Sequence, residues 1–228
     1  MAGPSASTHR GAARVSSDRV WYAAYGSNLF EKRFTYYRAG GNPPGTPRIY
    51  PGFTDPTPPA RSGPLTLPGC IYFSGDSPVW TGGVAFYAHR PPAGWPTGAA
   101  ARGYLLTVGQ FRDLMAQEMH RGRGEVPDFE PAEVVRRGFL PLGEGQYETV
   151  WHVDDLDGYP VLTFSSPWDP GTVPLDKPSA RYLGMLAAGL AESHGWDSAR
   201  IVRYLSERPG VQGNWDIEEL RTVVATHP

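Results

Sequence analysis

Short apolar runs separated by turn-forming residues make up most of the chain. The run VWYAAY, which starts at Val20, ends abruptly at Gly-Ser-Asn, and this pattern is typical of a buried strand that leads into a turn. Five later segments are rich in β-branched or aromatic residues and are bounded by turn signals. These predicted strands cover residues 70–73, 82–88, 102–107, 147–153 and 161–165.

Helical periodicity is visible in four segments, and three of them close the chain. They cover residues 108–120, 179–193, 198–207 and the stretch from 217 onward. Asp197 and Asp216 stand where N-caps of the last two helices are expected. Most strands follow one another without an intervening helix. We therefore predict an α+β fold in which peripheral helices surround a small, mixed β-sheet that is closed or strongly curved, like a barrel.

Two segments fit neither pattern. Residues 40–69 contain GGNPPGTPR, DPTPP and SGPLTLPG, and this density of Pro and Gly predicts one long loop, without helix interiors or central strands. Such a loop acts as a lid or shields a sheet edge. Residues 1–19 are small, polar and without an apolar core, which indicates a disordered tail, although a transit peptide shares some of this composition. We therefore expect a tail over 1–19 and a single domain over 20–228.

Composition narrows the class of protein. The net charge of −2 provides no broad positive field, so we expect neither nucleic acid nor a membrane as partner. A single cysteine, Cys70, cannot form an internal disulfide, and this favours a reducing cytoplasm. The six histidines lack metal-ligand spacing and no nucleotide fingerprint is present, so we expect no metal and no cofactor. These exclusions leave a small polar or anionic molecule as the candidate ligand.

One carboxylate interrupts the apolar face of the first predicted helix. Phe111, Leu114, Met115 and Met119 form an apolar stripe, and Glu118 falls within about 20° of Phe111 on the helical wheel. Burying an unpaired charge is costly. Glu118 is therefore either a structural partner of an arginine or a catalytic carboxylate in a pocket, and spacing alone leaves both interpretations open.

The turn after the first strand has the sequence Tyr25-Gly26-Ser27-Asn28-Leu29. Glycine lets a backbone approach a ligand closely, turn amides form an anion-binding concavity, and Ser27 and Asn28 add polar side chains. Without further support, Gly-Ser-Asn is also an ordinary turn. Ser27 lacks the second glycine of a nucleophile elbow, so we interpret it as a binding group.

A strand that ends in YGSNL near the N-terminus resembles the signature of the γ-glutamylcyclotransferase-like family. Further similarity lies in GGVAF at 82–86, DGYPV at 157–161 and the helix after Pro178, so the resemblance covers about residues 20–207. It implies that residues 25–29 bind a small γ-glutamyl or amino-acid-like substrate and that Glu118 is the acid/base group. It also implies that a γ-glutamyl amide cyclises to 5-oxoproline, while amides of Gly26 and Ser27 support charge on the substrate oxygens.

The chain departs from the family pattern at Met119, because the family often has glycine directly after its catalytic glutamate. This departure keeps a different class of function open. In that alternative the chain is a non-catalytic binding module whose pocket holds an amino-acid-like or peptide ligand. A further alternative is amide hydrolysis in the same pocket.

Overall fold

The computed structural model describes residues 18–44, 48–122 and 124–226. Its strands are β1 (Arg19–Ala24), β2 (Ser62–Leu67), β3 (Cys70–Ser77), β4 (Gly82–Ala88), β5 (Ala99–Thr107), β6 (Phe139–Pro141), β7 (Thr149–Leu156) and β8 (Tyr159–Ser165). Its helices are α1 (Glu31–Ala39), α2 (Val108–Glu118), α3 (Pro131–Arg137), α4 (Ala180–His194), α5 (Ser198–Ser206) and α6 (Ile217–Thr226). A single 3₁₀ turn, Ser27–Leu29, separates β1 from α1.

Strand β1 lies inside a mixed six-stranded sheet of order β2-β5-β1-β8-β7-β6. It pairs antiparallel with β5 and parallel with β8. Alternate side chains of β1 enter two different hydrophobic cores, with Trp21 and Ala23 in one core and Val20 and Tyr22 in the other. Because both faces of β1 are covered, its sequence is a continuous apolar run instead of an alternating one.

The two cores are covered by different elements. The core that contains Trp21 also holds residues of the β3–β4 hairpin and of α4, α5 and α6. The core that contains Tyr22 holds residues of α1, α2 and α3. The α+β class with a mixed sheet and peripheral helices is therefore as predicted.

The prediction of a closed, barrel-like sheet is wrong. The six-stranded sheet is open, with β2 and β6 at its edges, and the β3–β4 hairpin forms a separate two-stranded sheet. Pro64 lies in β2 and Pro141 in β6, and a proline has no backbone N–H to extend a ladder. The error arose because all predicted strands were assigned to one sheet, whereas two of them pair only with each other.

The segment 40–69 is not one continuous loop. Its last part forms β2, an edge strand that tolerates Pro64 and pairs with β5. The exclusion of central strands from this segment therefore holds, but the exclusion of all regular structure does not. Of the predicted tail, residues 1–17 lie outside the described residues, and Arg19 already belongs to β1.

Candidate functional site

The 25–29 turn is positioned by the strand before it and the helix beneath it. The Tyr25 hydroxyl donates to the carbonyl of Phe164 on the neighbouring strand at 2.8 Å. Leu29 packs into the hydrophobic core, where Gly189 of α4 lies so close that a Cβ at that position would come within 2.7 Å of Leu29 backbone. Tyr25, Gly26, Ser27 and Asn28 line a cavity of about 380 Å³, and Leu29 is not among its lining residues.

Glu118 reaches the same cavity from the end of α2. That helix starts with a capping box, in which Thr107 and Gln110 each accept a hydrogen bond from the other's backbone N–H. Phe111, Leu114 and Met115 are buried along one face, as the apolar stripe predicted. Glu118 is the last helical residue and is half-buried. Its Oε1 accepts a hydrogen bond from Asn28 Nδ2 at 3.1 Å.

The surroundings of Glu118 change its proton affinity. Burial raises the pKa of the Glu118 carboxyl above its usual value, because a charged carboxylate loses solvation there. A hydrogen bond from Tyr37 and the charges of Arg33 and Arg48 act in the opposite direction, and burial dominates. A raised pKa makes the ionised carboxylate a stronger base, which suits a group that takes up and returns a proton beside a cavity.

Two polar groups of this cavity are buried without a hydrogen-bond partner among the described residues. They are Asn28 Oδ1, an acceptor, and Arg33 Nη1 and Nε, two donors of one guanidinium. The third nitrogen, Arg33 Nη2, donates to the Tyr50 hydroxyl. Unfilled buried donors and acceptors are costly, and a ligand with complementary groups would satisfy them.

Sequence reasoning missed Arg33 because α1 was not predicted. The helix is rich in charged and aromatic residues, and it buries Arg33, Phe34 and Tyr37. Arg33 and Tyr37 are four residues apart, and the guanidinium carbon lies 5.1 Å from the Tyr37 ring centre. A cation and an aromatic residue at that spacing were the available signal.

The segment 40–69, which the sequence predicts to act as a lid or to shield a sheet edge, contributes further walls. Arg48 and Tyr50 line the cavity, with the Arg48 guanidinium carbon 4.6 Å from the Tyr50 ring centre. Trp80 and Tyr147 also line it. The residues that line the cavity therefore come from most of the length of the chain.

Tyr182 of α4 explains the glycine of the turn. Its hydroxyl accepts a hydrogen bond from the Ala85 amide at 3.1 Å. A Cβ at Gly26 would lie 3.2 Å from that hydroxyl oxygen.

Cys70 is not among the residues that line this cavity. Cys70 is buried, and burial raises the pKa of its thiol to about 11, which disfavours the nucleophilic thiolate. In the described parts of the chain, no three His, Cys, Asp or Glu side chains come together as metal ligands. No helix within the described ranges is both long and apolar enough to cross a bilayer.

No family model matches the chain. A stretch of 188 residues is 30% identical to Histone deacetylase 5 of Arabidopsis thaliana, and the match covers 76% of this chain. The same match covers only 28% of that plant protein, so its name describes a much longer chain.

Two solved structures are similar over most of the chain. One is a γ-glutamyl cyclotransferase, with a TM-score of 0.47 and 14% sequence identity, covering 92% of this chain and 99% of the other. The second is an uncharacterized protein from Homo sapiens, with a TM-score of 0.44 and 15% identity, covering 91% of this chain and 99% of the other. Both TM-scores lie below 0.5, so the functional argument rests on the residues of this chain.

Proposed function

We propose that this protein cyclises γ-glutamyl amines or amides to 5-oxoproline and releases the amine, with Glu118 as general acid/base. One observation carries the proposal. The half-buried Glu118 carboxyl, with its raised pKa, accepts a hydrogen bond from Asn28 of the YGSNL turn on the wall of one cavity. The wheel pattern and the family resemblance had each pointed to this carboxyl.

The polar groups that lack hydrogen-bond partners among the described residues suit a γ-glutamyl substrate. Asn28 Oδ1 would accept a hydrogen bond from the substrate α-amine, and the free nitrogens of Arg33 would donate to its α-carboxylate. These two contacts would hold the α-amine and the α-carboxylate of one glutamyl group. Holding the flexible chain folded places the α-amine near the γ-carbonyl, which makes ring closure effectively intramolecular.

The reaction needs one proton relay. The α-amine nitrogen attacks the γ-carbonyl carbon, Glu118 accepts the proton that this nitrogen loses, and the bond between that carbonyl carbon and the leaving nitrogen breaks. Glu118 then returns the proton to the departing amine. The products are 5-oxoproline and a free amine, and no water is consumed.

The test is to incubate the purified protein and the Glu118→Gln variant with γ-glutamyl amines, γ-glutamyl dipeptides and glutathione. Mass spectrometry then measures 5-oxoproline, glutamate and the released amine. We expect 5-oxoproline from the wild type and at most a trace from the variant. Circular dichroism and thermal unfolding of both proteins establish that each is folded.

The other products decide between alternatives. Free glutamate without 5-oxoproline would indicate amide hydrolysis. Saturable binding of a γ-glutamyl ligand without any product, with equal affinity in the Glu118→Gln variant, would indicate a binding module. Because the plant relative bears the name of a deacetylase, the panel includes an acetyl-lysine peptide. Release of acetate from that peptide alone would overturn the proposal.

A further inference from the structure

A second, smaller cavity of about 190 Å³ adjoins the first one. The two cavities share three wall residues, Arg33, Val79 and Trp80. A ligand group placed in the second cavity would therefore lie next to a substrate held in the first. The remaining walls of the second cavity come from α1, from α4 and from the segment after α1. They are Phe30, Lys32, Tyr36, Pro43, Pro44, Arg181 and Met185.

The charges of the two cavities differ. The first has the carboxylates of Asp76, Glu118 and Glu148 on its wall, beside Arg33 and Arg48. The second has Lys32, Arg33 and Arg181, and none of its described lining residues is acidic. Lys32 and Arg181 are exposed at its mouth, whereas Arg33 is buried. The second cavity therefore favours an anion.

The rest of the wall is apolar. The Arg181 guanidinium carbon lies 5.2 Å from a ring centre of Trp80, and Met185 is half-buried on the same helix as Arg181. Apolar cavities of about 150 Å³ accommodate benzene, so a cavity of this size takes a ring-sized group. Cationic groups beside an aromatic wall suit an apolar or aromatic group that carries a carboxylate.

We propose that the second cavity is the subsite for the leaving amine and that it selects amines whose side chain is apolar or aromatic and which carry an anionic group. This inference rests on the proposed function only for the identity of the substrate half in the first cavity. The chemistry of the second cavity is tested without turnover.

The binding arm uses the folded wild-type protein with 3-phenylpropionate and its neutral counterpart 3-phenylpropanamide, measured by isothermal titration calorimetry or ligand-observed NMR. We expect the carboxylate to bind at least about 10-fold more tightly than the amide, because Lys32 and Arg181 of this cavity attract an anion. Equal affinities, or no binding of the carboxylate, would overturn the inference.

Two sets of variants locate the bound probe. Arg181→Ala removes one exposed cation and should weaken 3-phenylpropionate binding by about 3- to 5-fold, whereas Arg203→Ala, an exposed arginine of α5, should leave it unchanged. Arg181 Nη2 also donates to the Pro44 carbonyl at 3.3 Å, so its loss alone could loosen that segment.

A second pair of variants therefore probes charge without removing that hydrogen bond. Met185→Gln and Met185→Glu have similar size and differ in charge. We expect Met185→Glu to bind 3-phenylpropionate at least about 10-fold more weakly than Met185→Gln, while both bind the amide alike. No difference between these two variants would place the probe elsewhere and overturn the inference.

A turnover arm connects the subsite to catalysis. γ-Glutamylphenylalanine and γ-glutamylphenethylamine release amines that differ only by a carboxylate. We expect kcat/KM to be at least about 10-fold higher for the first, and Met185→Glu to remove this preference. Turnover of both substrates at equal kcat/KM would refute the selectivity. No 5-oxoproline from either, together with charge-dependent probe binding, would refute the proposed function and leave the anion selectivity of the cavity supported.

Discussion

Two arginines beside the 25–29 turn are almost fully buried, and their surroundings differ. Arg102 is 7% exposed, and its guanidinium pairs with Glu31 at 3.2 Å and Glu192 at 3.1 Å and donates to the Leu29 carbonyl at 3.2 Å. Arg33 is 5% exposed, and among the described residues it has aromatic neighbours and the Tyr50 hydroxyl but no carboxylate in an ion pair. Two of its nitrogens have no hydrogen-bond partner within the described ranges of the chain.

The difference separates a structural charge from one available to a ligand. Arg102 joins the turn to α1 and α4, because Glu31 belongs to α1 and Glu192 to α4. A buried cation with two carboxylates is compensated, whereas a buried cation without one keeps its desolvation cost until an anion arrives. We therefore interpret Arg102 as the support of the turn and Arg33 as the group that holds a substrate carboxylate.

The largest expected effect concerns Glu118, the carboxylate that interacts electrostatically with Arg33. Glu118→Gln keeps the size and hydrogen-bonding capacity of the side chain but cannot exchange a proton. We expect kcat for 5-oxoproline formation to fall about 10³-fold, with little change in substrate affinity. Steady-state kinetics with the best substrate of the panel measures this. A residual kcat within about 10-fold of the wild type would remove Glu118 from the acid/base role.

The next largest effect is a contrast between variants of the two arginines, in substrate binding and in stability. Arg33→Met should weaken substrate binding about 10- to 100-fold, because charged hydrogen bonds to the carboxylate are lost, without lowering the melting temperature. Arg102→Met should leave kcat/KM unchanged well below its melting temperature. It should lower the free energy of unfolding by about 2 kcal/mol, or about 4–8 °C in Tm, because two glutamates lose their partner.

Calorimetry and steady-state kinetics on both variants test this contrast. The reverse pattern, with Arg33→Met less stable and still active, would mean that Arg33 is the structural cation. Unfolding midpoints are compared at one protein concentration and one ionic strength, because exposed carboxylates such as that of Glu31 are screened by salt.

A smaller effect is expected at the contact between the turn and α4. Gly189→Ala places a Cβ within 2.7 Å of Leu29 backbone, so the turn or the helix must shift. We expect a loss of about 1–3 kcal/mol in the free energy of unfolding, together with lower turnover. Gly63→Ala in β2 is the matched control, since its Cβ would meet nothing within 4 Å. Equal stability of the two variants would show that α4 does not position the turn.

The smallest effect is the pH dependence of stability. Burial raises the pKa of Glu118 in the folded protein, so the folded state binds its proton more tightly than the unfolded state does. The ionised carboxylate therefore destabilises the fold as pH rises above the ordinary value of 4.5, and fully so above the folded pKa. Glu118→Gln should have a higher Tm than the wild type at neutral pH, and the difference should vanish below about pH 4.5.

Thermal unfolding at several pH values between 4 and 8 checks this sign. A Tm that falls in the variant at neutral pH would instead identify Glu118 as the structural ion partner of a nearby arginine. This structural role was one of the two interpretations that its helical spacing left open.

Much of the local structure was predictable. The apolar run of β1, the stripe on α2 and the capped helices near the C-terminus depend on neighbouring residues, and Asp197 accepts a hydrogen bond from the Arg200 amide as an N-cap should. Helix α1 was not predicted, because its face is a mixture of charged and aromatic residues. Strand β2 was hidden by Pro64, which is compatible only with an edge position.

The sequence by itself determined β1, the turn that follows it, and a helix that directs Glu118 toward the interior, because these depend on side-chain periodicity over a few residues. Only the tertiary structure decided that the sheet is open and that Arg33, Tyr50 and Tyr182 meet at one cavity. Those residues are far apart in the chain, and their meeting depends on strand order and on packing across two cores. Local patterns do not encode such long-range contacts, so the burial of Arg33, without an ion-pair partner among the residues that the structure describes, became visible only in the folded protein.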